Sequence, residues 1–336
     1  MGVPQSNVSI KVGDDVIFKA YRKPEAGITI EREVTEHLTR QRYQNTPQLL
    51  GTLTLDTKSG PVTVGMAFER IHSDGDGWTS TLAALAGVDA GGQQLKDSLA
   101  LLGTRIGEMH RALGAVGADA AHGAPVDPAF APRPIAKSDL QAWQASITRE
   151  LDDTIALAAA ADPALGAKLL AARPMLVARL AQLDDVEPSG MKTRIHGDLH
   201  LGQVLRRDGD WVVLDFEGEP ARTKEERRGF YTPLRDVAGM LRSFAYAEAE
   251  AKAPAGWAKE AGKGFVAAYK KAAADTGLMP TSDDAFDAIL AAVELEKALY
   301  EVRYELKSRP ALVHIPAARV LEIANERAPL SRGPHL

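Results

Sequence analysis

The sequence predicts an α+β protein in two lobes: a small mixed β/α lobe over residues 1–72, followed by a large, mainly helical lobe over residues 73–336. Three observations carry this expectation. Within the first seventy or so residues, strand-like alternation is broken by turn residues and one helical segment, in the order β-β-α-β-β. After Gly75-Asp76-Gly77-Trp78 the apolar residues recur at helical spacing almost throughout. Only two short strand signals, at 203–205 and 211–216, interrupt that regime, on either side of the turn Arg207-Asp208-Gly209-Asp210.

Each element has a local reason. Val8-Ser9-Ile10-Lys11-Val12 alternates, Gly13-Asp14-Asp15 is a turn signal, and residues 16–21 follow as the second strand of a hairpin. Pro24 and Gly27 punctuate the chain before a helix over 30–41, whose Ile30, Val34 and Leu38 fall on one face. Strands over 49–55 and 62–71 flank the turn Lys58-Ser59-Gly60-Pro61. Helical spacing of Leu, Ile and Ala then marks 93–113, 138–184, 234–251, 256–276 and 283–307. There is no internal repeat.

Composition narrows the function. With 336 residues, 45% hydrophobic and 25% charged, the chain reads as soluble and globular rather than disordered or fibrous. Lys+Arg 40 against Asp+Glu 45 leaves a charge of -5, with no positive surplus to hold a nucleic-acid backbone. The absence of cysteine excludes disulfides, thiolate zinc sites and cysteine nucleophiles. The most apolar region, 154–183, is broken by Asp162, Pro163, Lys168, Arg173 and Pro174, so no membrane span is expected. The N-terminus has neither a basic region nor an apolar core for secretion. The protein is therefore read as cytoplasmic, with a small molecule as its partner and no oligomeric state implied.

The chemistry concentrates in Ile195-His196-Gly197-Asp198-Leu199-His200-Leu201-Gly202-Gln203-Val204-Leu205, followed by Val213-Leu214-Asp215-Phe216-Glu217-Gly218-Glu219-Pro220. A loop carboxylate, an amide five residues later and a second carboxylate after a short hairpin can converge on one spot. That set suits phosphoryl transfer: one carboxylate accepts the acceptor hydroxyl's proton, while the amide oxygen and the other carboxylate hold Mg²⁺ on nucleotide phosphates. Taken singly, Asp198 also reads as a turn or helix cap, and His196 with His200 as satisfied core residues or half of a zinc site.

The segments HGDLHLGQVL and DFEGEP resemble the catalytic and metal loops of the aminoglycoside-phosphotransferase-like kinases, which share the protein-kinase fold. More narrowly, DFEGEP followed by TPLRDVAGMLRSFAYA resembles the maltokinases, which phosphorylate maltose at its anomeric hydroxyl with ATP. The resemblance runs from Gln5-Ser6-Asn7 to about Pro316. It implies Asp198 as catalytic base and Gln203 and Asp215 as Mg²⁺ ligands. It also implies Lys19 as the phosphate-binding lysine, with Glu33 as its ion-pair partner and Glu31 as the substitute. Ser6 and Asn7 then belong to the phosphate-covering loop, and backbone groups near Glu69 and Ile71, in a hinge over 66–71, read the adenine. His196, Arg235 and Asp236 brace the catalytic loop, Asp236 also serving as a helix cap. His200, Glu296, Tyr300, Glu301 and Tyr304 are the expected sugar contacts. On residue types alone, the last four equally describe a charged surface helix.

Two departures accompany the resemblance. The maltokinases carry a cap domain and further strands before the phosphate-covering loop, whereas this chain starts near that loop, so the small lobe is expected in trimmed form. Ala311-Leu312 stands where the family has Asp-Trp, which removes an aromatic surface near the sugar. The leading expectation is an ATP- and Mg²⁺-dependent maltose kinase. The alternatives are a kinase for glucosamine, another hexose or an aminoglycoside, and a catalytically silent nucleotide- or sugar-binding module.

Overall fold

A computed structural model describes residues 7–58, 60–87, 91–115 and 127–326. Its small lobe is built on a sheet of order β1-β2-β4-β3, all neighbours antiparallel, formed by β1 (Asn7–Val12), β2 (Val16–Ala26), β3 (Leu49–Thr57) and β4 (Gly60–Glu69). The β1–β2 turn closes at the Val12↔Val16 pair, and Gly13 there has φ +62°, a backbone state that glycine adopts without a Cβ penalty. Helix α1 (Ile30–Arg40) starts at Thr29, whose hydroxyl accepts from the Arg32 N–H, and buries Ile30, Val34 and Leu38 as its periodicity requires.

Helix α1 is also docked on the large lobe. The buried His37 ring stacks on Phe130 with centroids 3.6 Å apart, and its Nε2 lies 2.9 Å from the Ala112 carbonyl. Burial pushes the His37 pKa down to about 4.

The large lobe begins with β5 (Gly75–Asp76) and α2 (Gly77–Ala86), capped by Asp76, which accepts from the Thr79 N–H at 2.8 Å. Helix α3 (Gln93–Leu113) then runs through the core. The single helical run expected over 138–184 is two helices, α4 (Lys137–Ala161) and α5 (Pro163–Ala181), followed by a 3₁₀ turn. Asp162 ends one and caps the next, accepting from the Ala164 and Leu165 N–H groups, and Pro163 takes the first helical position. Short strands β6 (Arg133–Pro134) and β7 (Met191–Lys192) pair with each other, while β8 (Val204–Arg207) and β9 (Asp210–Val213) form a hairpin beside β5. Strand β9 stops three residues earlier than expected because the Leu214 N–H turns back to the Gln203 carbonyl and Asp215 takes φ +64°.

After the single turn α6 (Lys224–Arg227) come α7 (Leu234–Ala251), α8 (Trp257–Ala272), α9 (Asp283–Ser308) and α10 (His314–Asn325). Helices α3 and α8 touch through Gly103 and Gly107. A Cβ at Gly103 would lie 2.2 Å from the Phe265 carbonyl oxygen. Helix α10 was not expected from the sequence. Its Pro316 looks like a breaker, yet it sits in the first turn, where a missing N–H costs nothing.

Candidate active site

One face of α7 shapes the loop before β8. Asp236, in the first turn, is 2% exposed, and its two carboxylate oxygens accept from the His196 and Gly197 N–H groups at 2.8 and 2.9 Å. His110 Nε2 reaches the same carboxylate at 2.9 Å, and His110 Nδ1 faces the Tyr269 hydroxyl at 3.1 Å. Burial would favour the neutral acid, but these hydrogen bonds hold the Asp236 carboxyl below the usual range. One turn on, Gly239 lets α7 approach the loop: a Cβ there would stand 2.6 Å from the Leu199 carbonyl oxygen. Ser243 Oγ then accepts from the Leu201 N–H at 3.0 Å. Residues 236, 239 and 243 fall on one helical stripe, so a single element fixes the loop along its length.

Within the loop, the buried His196 bridges outward. Its Nδ1 accepts from the Asp198 N–H at 3.3 Å, and its Nε2 donates to the Leu214 carbonyl at 2.7 Å. His196 and Asp236 thus both bond to the backbone of the segment that bears Asp198. His200 caps the following 3₁₀ turn through its Nδ1, which accepts from the Gly202 N–H at 3.0 Å. Burial lowers the His200 pKa against the pull of Asp198. His200 faces this turn, not the acceptor cleft described below.

The hairpin brings Gln203 and Asp215 together, with Gln203 Nε2 3.3 Å from Asp215 Oδ2. Lys19, on β2, reaches across from the small lobe: its Nζ is 2.6 Å from Glu31, 3.0 Å from Asp215 and 3.5 Å from Glu217. Burial alone would lower the Lys19 pKa, but the three carboxylates outweigh it and raise it. Asp215 is held below the carboxylate range by Lys19 despite its burial, whereas burial pushes Glu31 up to about 7 against the pull of Lys19. Tyr21 donates to the second Glu31 oxygen at 2.9 Å. Oxygens of Glu31, Asp215 and Glu217 lie within 4.8 Å of one another. Three carboxylates around one ammonium leave an excess of negative charge and of oxygen donors. This fits a hard divalent cation such as Mg²⁺.

Contrary to what the family resemblance implies, Glu33 does not pair with Lys19. It turns to Arg228 at 2.9 Å and to the buried Arg194 at 3.4 Å. Two residues along a helix amount to about 200° of rotation, so only one of Glu31 and Glu33 can face the sheet. The substitute, Glu31, is the one that does. Asn7 donates to Glu217 at 2.8 Å, tying the start of β1 to the loop after β9. Ser6 lies outside the described residues. Glu69 ends β4 with its N–H already bonded to the Gln48 carbonyl at 2.9 Å, so that N–H is not available to a base, and Ile71 follows two residues later.

Asp198 opens onto a second cleft, formed by the catalytic loop, the segment after Asp215, and α9. Lys297 Nζ lies 3.9 Å from Asp198 and 3.8 Å from Glu219, and 5.0 Å from the Tyr300 ring centroid. Arg222 pairs with Glu219 at 3.0 Å, and Lys297 and Arg222 keep Glu219 ionised despite its burial. Arg235 holds Glu296 at 2.5 Å and packs over Tyr231. Of the expected sugar contacts, Glu296 and Tyr300 line this cleft. Glu301, on another stripe of α9, instead pairs with Arg242 on α7 at 2.8 Å, and Tyr304, one turn beyond Tyr300 and stacked on it with ring centroids 6.4 Å apart, is 42% exposed outside the cleft. Glu217, Glu219 and Lys297 are the site residues that the sequence did not assign. Glu217 and Glu219 had a signal, since they alternate with Asp215 within one loop.

A loop carboxylate thus stands between a carboxylate-rich cluster and a cleft lined by charged and aromatic groups, an arrangement able to take a proton from an acceptor beside a bound polyphosphate. Residues 2–276 match the APH family, described as a phosphotransferase enzyme family. The chain is 27% identical over 342 residues to a glucosamine kinase of Streptacidiphilus jiangxiensis, covering 97% of this chain and 73% of the relative. It is 29% identical over 338 residues to a glucosamine kinase of Mycolicibacterium smegmatis, covering 96% and 79%. Among solved structures, a glucosamine kinase in crystal form B superposes with TM-score 0.76 at 25% identity, over 95% of this chain and 76% of that one. The GDP complex of wild-type aminoglycoside 2'-phosphotransferase-IIIa shares the fold alone, with TM-score 0.51 at 14% identity over 97% and 91%.

Proposed function

The chain belongs to the APH phosphotransferase enzyme family and has its kinase-like fold, and from that membership we propose that it transfers the γ-phosphoryl group of ATP to a hydroxyl of a small sugar, with glucosamine the favoured acceptor. The observation that carries the reading is the placement of Asp198. Its carboxylate faces the cleft, and the segment that holds it runs on directly into Gln203 and the Asp215 hairpin. Asp198 accepts the proton of the acceptor hydroxyl as that oxygen bonds to the γ-phosphorus and the bond to the ADP oxygen breaks. Lys19 steadies the phosphate oxygens. Gln203 and Asp215, with Glu217 beside them, hold Mg²⁺, which when bound neutralises charge on the phosphates. Asp236 keeps the loop in register and His196 keeps Asp198 joined to the hairpin, so neither has to rearrange during transfer.

For the acceptor, the matched relatives are named glucosamine kinases, and the cleft has a carboxylate suited to an ammonium. Glu219 is reached by Lys297 only at 3.8 Å, beyond hydrogen-bonding distance, so a substrate amine can take that place with a direct bond. Maltose is the second reading, favoured by the DFEGEP and PLRDVAGMLRSF segments. One ADP-release screen over glucosamine, maltose, glucose and kanamycin separates them. Turnover is expected with glucosamine above the others. Turnover with maltose alone would replace the acceptor, and turnover with none of the four would remove the sugar-kinase reading.

A further inference from the structure

The β8–β9 hairpin carries Gln203 and Asp215 at its base, and it has a second side. Arg206 and Trp211 pair directly across the ladder and therefore project from the same face, toward α2 and α3. There they form one wall of a cavity of about 380 Å³, completed by Thr81 and Ala84 of α2 and by Leu95 and Ser98 of α3. This volume lies in the range of small-molecule sites. None of these six residues belongs to the catalytic loop, the Lys19 cluster or the Asp198 cleft.

Two of the six carry unused polar capacity. The Arg206 guanidinium lies 4.6 Å from the Trp211 ring centroid and donates to Ser98 Oγ, but among the described residues it has no carboxylate partner. Arginines elsewhere in the fold differ: Arg105 pairs with Asp210 at 2.8 Å, Arg222 with Glu219 at 3.0 Å and Arg303 with Glu150 at 3.0 Å. Thr81 is 0% exposed, and its hydroxyl has no hydrogen-bond partner among the described residues. Trp211 is held rigid, its indole N–H donating to the Ser98 carbonyl at 2.7 Å, and Ala84 and Leu95 supply apolar wall.

We propose that this cavity is a second ligand site, separate from the phosphoryl-transfer site, for a small monoanionic organic carboxylate with an apolar body. A single guanidinium presents the two parallel N–H groups that a carboxylate accepts, and the aliphatic and indole walls take an aryl or alkyl group. With one cation among its described lining residues, the cavity offers less charge than a phosphate ester needs.

The test uses the full chain, with benzoate as the probe and benzyl alcohol as its neutral counterpart, followed by saturation-transfer NMR with Mg²⁺ and ATP present. Saturable benzoate binding is expected, with benzyl alcohol at least ten-fold weaker, and with binding at least ten-fold weaker in both Arg206→Met and the cavity-filling Ala84→Leu. If Arg206→Met fails to fold, as judged by its thermal melt, Ala84→Leu decides, because it leaves the guanidinium in place. No saturable binding to the wild-type chain, equal binding in Ala84→Leu, or displacement of benzoate by ATP would overturn the proposal.

Discussion

Lys19 is the residue on which both lobes meet, and its surroundings separate two glutamates that look alike in the sequence. Glu31 faces Lys19 and Tyr21, while Glu33 faces Arg228 and Arg194. Glu31→Gln should therefore act on catalysis, raising the KM for ATP and lowering kcat by about ten-fold or more, because Lys19 loses the partner that aims it. Glu33→Gln should act on stability instead. It leaves the 2% exposed Arg194 without its carboxylate, and Arg194 already has two unbonded nitrogens. A loss of about 1–3 kcal/mol in urea unfolding, with kcat within about two-fold, is the outcome expected. Equal effects of the two substitutions on kcat would contradict the assignment.

Two helix contacts use glycine for close approach, with different consequences. Gly239→Ala pushes α7 off the Leu199 carbonyl and so displaces the loop that bears Asp198. Gly103→Ala pushes α3 off α8, away from that loop. Both should lose about 1–3 kcal/mol of stability in chemical denaturation, but only Gly239→Ala should also lower kcat, by about ten-fold or more. A fully active Gly239→Ala would show that α7 does not position the loop.

The legible elements were those whose pattern is local. The β-β-α-β-β order and the helices over 93–113 and 234–251 carry strong periodicity, and they appear with those bounds or close to them. Asp198, Gln203 and Asp215 were legible because one continuous segment bears them all. Helix α10 was hidden by Pro316, and the α4–α5 break by helical spacing that resumes directly after Asp162-Pro163, so that one dipeptide separates two helices. The choice of Glu31 over Glu33 depends on how α1 is rotated against the sheet, and the arrival of Lys297 at Glu219 on how α9 docks. Neither rotation nor docking has a local signature.

At the scale of the molecule, the lobes are joined by contacts of different chemistry. Lys19–Asp215, Asn7–Glu217 and Glu33–Arg228 are polar, whereas His37 docks α1 as a neutral ring against Phe130 and the end of α3. The His37 pKa is lowered to about 4, beneath its ordinary 6.5, so the unfolded chain binds the extra proton first. Its contribution is therefore fully present above about pH 6.5 and is lost as the pH falls toward 4. Urea midpoints measured at about pH 7 and pH 5 should fall in the wild type and fall less in His37→Gln, which cannot protonate. An identical decline in both would place the acid sensitivity elsewhere.

The most direct test of the phosphoryl-transfer account compares the wild-type chain with Asp198→Asn in ADP release from ATP, Mg²⁺ and glucosamine, with nucleotide affinity followed by calorimetry in the same preparations. In the proposed reaction Asp198 acts only on the acceptor's proton, and its neighbours Asp236 and His196 hold the loop without its carboxylate. Turnover should fall by about 10²-fold or more while the Kd for Mg²⁺-ATP stays within about two-fold. Turnover near the wild-type rate in Asp198→Asn, with affinity unchanged, would contradict it.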